Sequence, residues 1–439
     1  MKKTYFHLSL FLFLTVLFTG STCFGGDVFS ENSKIETRGL QIDLAQFKSD
    51  RENLNRLEIY YRIFNNLLQF VKEGEEFAAA YEVSVSVHND DGRQVNAVSR
   101  SKNFTVSSYE KTVSDKDFRT SQFNLLLAPG KYKIDFALND RNTEGTVRKS
   151  LKVNLEKYDN STPQCSGIEF AQAIDTALYD SLFIKGNKTV VPSVQRQYGG
   201  DSTSGLLYYV ELYQGIDARE SVKVETQIFD RNFDAVYRDT MTAAFADGII
   251  RQIRQVSLSG IRAGDYILAI ALKGRRDRVV EELREPFSIY WSADALVRND
   301  FEAAVMQLKY IASAQEMDSL KKAKTPEDKL RLWKDFWFSR DPSPGTAENE
   351  FKKDYYRRID FANRHFDALK REGWLSDRGM VYISHGEPDQ IEDYPFELDR
   401  KAYQVWYYYH SENVRRFVFV DEWNDGDYRL QYPFDGVYR

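Results

Sequence analysis

His385, Glu387 and Asp389 are the side chains in this sequence that come closest to a reactive cluster. On an extended strand residues two apart face the same way, and an imidazole with two carboxylates could hold a divalent cation or pass a proton. The residues between them, Gly386 and Pro388, argue for a turn, which points the three side chains apart. Gly200-Asp201-Ser202 has the outline of a serine nucleophile loop, but Thr203 stands where close backbone approach at an oxyanion hole needs glycine. Beyond His7, the imidazoles available as a base are His88, His365, His385 and His410. His88 borders a hairpin turn and His365 lies on a charged helix face. No triad is supported, and the stretch reads as a loop rich in Gly and Ser.

Asp421-Glu422-Trp423-Asn424-Asp425-Gly426-Asp427 gathers acids as a calcium loop does. The EF-hand pattern fails, because Trp423 and Tyr432 occupy positions that need an oxygen ligand and a closing glutamate. Asn424-Asp425-Gly426 reads instead as a tight hairpin turn. The run Trp406-Tyr407-Tyr408-Tyr409 could present rings to a glycan. On a strand, alternate residues face opposite sides, so at most half of them are exposed; Trp406 and Tyr408 are assigned to the core. A row of exposed coplanar rings would favour glycan binding. Trp333, Trp337 and Trp374 are expected to pack a helix junction. Cys165 has no candidate base near it in sequence. The sequence therefore assigns no catalytic, metal-binding or cofactor-binding residue.

The elements that would position these groups change character along the 439 residues. Lys2 and Lys3 precede an apolar run from Tyr5 to Phe18, with small residues around Cys23 and Gly25. This reads as a signal peptide over residues 1–25. A lipid anchor at Cys23 is disfavoured, because Gly20 and Thr22 depart from the lipobox pattern. Cleavage would remove two lysines and no acids, leaving a chain more acidic than the −6 of the full sequence. Arg275-Arg276-Asp277-Arg278 is broken by an acid and followed by Glu281-Glu282, so no basic surface for a nucleic acid is expected. No membrane span is expected in the mature chain.

Residues 26–160 read as short alternating strands. Leu57–Ile63 and Tyr81–Val87 are two of them, the latter meeting Asn89-Asp90-Asp91-Gly92, a hairpin signal, and Lys131–Leu138 is another. A similar order recurs over residues 161–291, in Leu206–Tyr213, Val222–Ile228 and Arg262–Leu272. Two β-sandwich domains of immunoglobulin-like type are expected. Over residues 292–439 the spacing turns helical. Thr325-Pro326-Glu327-Asp328 has the composition of a helix start, with Leu330, Trp333 and Trp337 on one face. Phe351, Tyr355, Ile359, Ala362, Phe366 and Leu369 form the stripe of a further helix that Gly373 ends. Strands are expected at Met380–Ser384, Gln404–Tyr409, Arg416–Val420 and Tyr428–Gln431, giving an α+β domain with helices packed on a small antiparallel sheet.

Gly373-Trp374-Leu375-Ser376-Asp377 resembles the signature of the GWxTD domain family, with Ser376 where the family has Thr. Arg378-Gly379, Gly386, Pro388-Asp389, Trp406-Tyr407-Tyr408 and Phe417–Asp421 continue the likeness over roughly residues 295–435. Upstream, Phe183-Ile184-Lys185-Gly186 and Val191-Pro192 are similar to the usual family arrangement. The resemblance implies an exported bacterial protein and carries over no catalytic residue. Gly373, Trp374, Ser376, Asp377, Arg378, Gly379, Gly386, Pro388 and Asp389 are accordingly assigned as a structural signature. Trp374 is expected against Phe366 and Leu369, Ser376 and Asp377 are expected to accept from the N–H groups of Arg378 and Gly379, and Gly379 to supply a positive φ. The expected role is a non-catalytic interaction or scaffold component of a Gram-negative envelope, periplasmic or surface-associated, with an envelope protein or glycan as partner. The alternatives are a hydrolase of envelope peptide or glycan, and a carbohydrate-binding module.

Overall fold

The structure, a computed structural model, describes residues 39–432 apart from 115, 144, 160, 176–180, 201–204, 217–220, 246, 347–348, 367–371, 395–399 and 411–412. Residues 1–25, Cys23 and Leu369 lie outside the described residues, as does the serine of the Gly200 loop. The chain is mostly β-sheet, in several sheets, with helices toward its C-terminal end. Two compact units are present. One holds the described residues up to Gln197 with Leu207–Gln255 and Asp265–Ser288; the other holds Tyr198–Leu206, Val256–Gly264 and the chain from Ile289.

The first unit begins with β1 (Leu40–Lys48), β2 (Asn55–Phe64), β3 (Glu76–Asn89), β4 (Gln94–Val106), β5 (Phe118–Leu127), β6 (Gly130–Asp140) and β7 (Thr146–Leu155). β1, β2 and β5 make one antiparallel sheet, while β3 pairs with β4 and β6, and β6 with β7. Alternate residues of both sheets meet in one core, including Ile59 and Tyr61 from β2, Val85 from β3, Phe123 from β5 and Phe136 from β6. The β3–β4 turn falls at the hairpin signal, with Gly92 at φ +75° and its N–H donating to the Asn89 carbonyl.

The unit continues with β8 (Glu169–Asp175), β9 (Lys188–Pro192), β10 (Leu206–Tyr213), β11 (Ser221–Phe229), β12 (Ala235–Ala244), β13 (Ile249–Val256), β14 (Gly264–Lys273) and β15 (Val279–Trp291). β9, β8, β10 and β13 lie in one sheet in that order; β15, β14, β11 and β12 lie in another. A second core joins Phe47 of β1 and Tyr60 of β2 to Ala171 of β8, Val190 of β9 and Tyr209 of β10. The β1–β2 layer is thus buried on both faces. This explains why β2, which reads in sequence as a one-sided strand, is buried nearly throughout, Glu58 and Arg62 included.

The second unit carries α1 (Ala293–Asn299), α2 (Phe301–Gln307), α3 (Ala314–Lys321), α4 (Pro326–Phe338), α5 (Glu350–His365) and α6 (Asp377–His385), then β16 (Gln390–Tyr394), β17 (Tyr403–His410), β18 (Asn413–Asp421) and β19 (Tyr428–Tyr432). α4 starts where expected, with the Thr325 hydroxyl accepting from the Asp328 N–H at 3.1 Å. Trp333 and Trp337 are buried beneath it, whereas Leu330 is on its exposed side. In α5, Tyr355, Ile359 and Ala362 are buried but Phe351 is exposed, and the helix ends at His365. The last four strands form an antiparallel sheet in sequence order.

One element differs in kind from expectation. Met380–Ser384 is helical, inside α6, and not a strand. A short apolar run does not distinguish the two by itself. The deciding signals flank it: Ser376 caps the first turn and Gly386, at φ +85°, closes the last. β16, with the polar sequence Gln-Ile-Glu-Asp-Tyr, was not expected as a strand.

Candidate functional site

The signature is a corner built from backbone contacts. The Ser376 hydroxyl donates to the Gly373 carbonyl at 2.6 Å and accepts from the Gly379 N–H at 2.9 Å, so one side chain ties the turn Gly373–Leu375 to the first turn of α6. A threonine hydroxyl has the same donor and acceptor capacity, which accounts for serine at a position where the family has Thr. Asp377 is buried, and its Oδ2 accepts from the Leu430 N–H of β19 at 2.8 Å. Sequence reasoning placed this carboxylate in the local turn; instead it reaches a strand far along the chain.

The two glycines of the corner serve closeness of approach. A Cβ on Gly373 would lie 1.9 Å from the carbonyl oxygen of Ala362 in α5, and one on Gly379 would lie 2.0 Å from that of Gly373. Gly379 is helical, so the positive φ expected there is not what requires glycine. Nor does Gly373 end the preceding helix, which stops at His365; it lets the turn press against the helix flank. Trp374 is 1% exposed, as its type predicts. Its ring meets Tyr310 edge-on at 6.3 Å and its N–H donates to Glu372 at 2.5 Å. Its backbone is held too, by the Asn363 side chain at 2.9 Å and the Tyr310 hydroxyl at 2.8 Å. An aromatic ring beside it is Tyr310, while Phe366 packs on Tyr382 and Trp406.

The rest of the signature continues this pattern. The Arg378 guanidinium lies against the rings of Phe366 and Tyr428 and donates to the Gly426 carbonyl at 3.0 Å; burial holds its pKa below the usual value. The Gly386 carbonyl accepts from the Tyr408 hydroxyl at 2.9 Å, and Arg358 donates to the Ile383 carbonyl at 3.1 Å, completing the end of α6. Asp389 exchanges two bonds with β17, its N–H donating to the Tyr407 carbonyl and its carboxylate accepting from the Tyr409 N–H. Pro388 is half-buried and Glu387 exposed. His385 packs on Tyr408 and Phe417, at 5.7 and 5.1 Å. Among the described residues no three His, Cys, Asp or Glu side chains converge as a metal site. In the acidic loop, Asp421 accepts from the N–H groups of Asp425 and Gly426, so its carboxylate closes the turn.

A second constellation was missed by sequence reasoning and lies in the first unit. Lys185 is buried between two buried carboxylates, 2.5 Å from Glu58 and 3.1 Å from Glu169. Glu58 also accepts from Arg56 at 2.9 Å and from the Tyr60 hydroxyl at 2.8 Å. Nearby Glu211 accepts from the hydroxyls of Tyr209 and Tyr213, each at 2.8 Å. Burial pushes the Glu169 carboxyl up to about 7 with Lys185 opposing it. At Glu58 burial acts the same way but is outweighed by Lys185 and Arg56, and its pKa falls. The available signal was a charged residue at an apolar strand's centre, Glu58 in Leu-Glu-Ile-Tyr-Tyr, together with Lys185 after Phe183-Ile184. Cys165 is buried on a short strand paired with Leu212, and burial raises its thiol pKa.

Comparison with known proteins gives one assignment. Among solved structures the chain is similar to a glycosyl hydrolase family 2 member from Bacteroides cellulosilyticus, at 13% identity over 60% of this chain and 33% of that one, with a TM-score of 0.23. It is also similar to dimeric latent PorU from Porphyromonas gingivalis, at 9% identity over 57% and 20%, with a TM-score of 0.24. A tetra-tandem repeat in the extending region of a large adhesion protein matches at 13% identity over 57% and 49%, with a TM-score of 0.16. The chain spans less than half of each of these structures, and likeness at these TM-scores assigns neither fold nor activity. No curated protein matches. The sequence model described as GWxTD domain matches residues 297–433, the segment that holds the Gly373–Asp377 corner and the sheet it anchors: the chain carries a GWxTD domain.

Proposed function

We propose that this is an exported, non-catalytic interaction component of a Gram-negative envelope, built as two immunoglobulin-like β-sandwiches followed by the GWxTD domain. One observation carries the reading: the polar side chains of the signature are committed to the fold. Ser376 and Asp377 are buried and bonded to backbone groups, Arg378 is held between two rings, and Asp389 is bonded to β17. A catalytic carboxylate needs access to substrate, and Asp377 has none. The basic, apolar start of the sequence supports export, and paired sheets with long edge strands such as β4 are suited to presenting loops and edges to partners.

The test has two arms. The whole chain, incubated with labelled peptides and cell-wall glycan, is expected to release no product. Photocrosslinking from the exposed surface of the GWxTD domain in intact envelopes is expected to yield a discrete adduct. Turnover that disappears in Asp377→Asn at an unchanged melting temperature overturns the reading and supports a hydrolase.

A further inference from the structure

We propose that the solvent-facing side of the β16–β19 sheet is a saccharide-binding face, with the tyrosines of β17 as its platform; this deepens the reading of the protein as a non-catalytic interaction component. The two faces of the sheet differ in chemistry. On one, Trp406 and Tyr408 of β17 are buried with Phe417 and Phe419 of β18 and meet Phe366 and His385. The alternate residues Tyr403, Val405, Tyr407 and Tyr409 lie on the other face, where Tyr409 is 51% exposed, Tyr403 and Tyr407 are half-buried and Val405 is buried.

The rings on this face form two pairs, each nearly parallel within itself. Tyr407 and Tyr409 are 6.3 Å apart with planes inclined by only 7°, and Tyr394 and Tyr403 stack at 4.3 Å and 11°. Tyr407 and Tyr409 are oriented by hydroxyl bonds to the neighbouring edge strand, and Tyr394 by one within it. Tyr407 and Tyr394 both donate to the Glu392 carboxylate at 3.2 Å, and Tyr409 donates to the Gln390 side-chain carbonyl at 2.7 Å. Rings held this way lose little freedom when a ligand stacks on them. From Tyr403 to Tyr409 the row extends about 20 Å at the rise of a β-strand, long enough for several sugar units.

The polar groups around the row choose the class of ligand. Gln390 and Glu392 border it on β16, Arg416 on β18, and Arg400 lies over the rings of Tyr394 and Tyr403, so an amide, an acid and two bases lie beside the rings. A neutral chain of hydroxyls with apolar C–H faces suits such a surface: the rings take the C–H faces, and planar polar side chains pair with the hydroxyls. A polycation would meet Arg400 and Arg416.

The test is titration calorimetry of the whole chain with chitohexaose, cellohexaose and xylohexaose, with product analysis of each mixture. At least one is expected to bind saturably and uncleaved. Tyr407→Ala/Tyr409→Ala is expected to weaken it at least tenfold with the melting transition retained, and Trp423→Ala, at the highly exposed Trp423 of the β18–β19 turn, to leave it unchanged. Absence of saturable binding to all three, or binding that the double variant leaves intact, overturns the proposal. If photocrosslinking at position 409 then captures an envelope protein, the saccharide face is refuted and the non-catalytic reading stands. Cleavage of a bound hexaose refutes the non-catalytic reading itself.

Discussion

The carbonyl oxygen of Gly373 lies where a side chain on Gly379 would have to go: an added Cβ would sit 2.0 Å from it. The clash is with backbone, so no rotamer change relieves it. Gly379→Ala must therefore open the corner between the Gly373 turn and α6, at a cost of about 1–3 kcal/mol or more. Chemical denaturation of Gly379→Ala beside Gly345→Ala, where nothing lies near the added methyl, checks this. Equal stabilities for the two variants would contradict close approach as the reason for glycine.

Trp374 closes the same corner from inside. Trp374→Ala is expected to cost about 3–5 kcal/mol, the usual range for emptying a fully buried indole site. Trp374→Phe keeps a ring beside Tyr310 and loses only the N–H donor to Glu372, so it should fall between the two. A melting temperature for Trp374→Ala within error of wild type would show that the indole anchors nothing.

Asp377 and Leu430 give a sharper case. Asp377→Asn retains an oxygen acceptor for the Leu430 N–H, while Asp377→Ala leaves that donor bare at a cost of about 1–3 kcal/mol. The expected order of melting temperatures is wild type, then Asn, then Ala. Native stability in Asp377→Asn with loss of function in vivo would assign the carboxylate a chemical role.

The buried acids of the first unit predict a pH dependence whose sign follows from Glu169. Its folded pKa, about 7, lies above its unfolded value of 4.5, so the folded state holds the extra proton between them. That contribution is complete below the unfolded pKa and is lost as pH rises through about 7. Glu58 works the other way: its lowered pKa gives a contribution present above 4.5 and lost as pH falls. The groups facing Glu169 include Lys185, Glu58, Tyr60 and Tyr209. Wild type should lose stability between pH 5 and pH 8, and Glu169→Gln should flatten that slope. An unchanged slope in the variant would place the titrating group elsewhere. Lys185→Met leaves two buried carboxylates without their cation and should cost about 3–5 kcal/mol.

The sequence was legible where local chemistry decides the outcome. Thr325-Pro326 starts α4 because a hydroxyl cap and a proline suffice there, and Trp406 and Tyr408 face inward because strand alternation leaves them no choice. It was illegible where packing decides. Met380–Ser384 has strand-forming residues but lies between a cap and a closing glycine, and the contact of α6 with the Gly373 turn secures the helix. Glu58 and Lys185 gave no periodic signal, because a layer buried on both faces has no polar side. Asp377 could not be matched to Leu430, since a backbone N–H carries no residue type.

The bond from Asp377 to Leu430 also makes the domain a test of its own completeness. The carboxylate is buried early in the domain, and a backbone N–H that it accepts from arrives 53 residues later, on the last described strand. A chain that stops short, or is clipped before Tyr428, takes that N–H away from the buried carboxylate. Such a fragment is expected to loosen at α6, where the corner holds the sheet. Damage at the far end is thereby converted into exposure at the signature, which a protease can find.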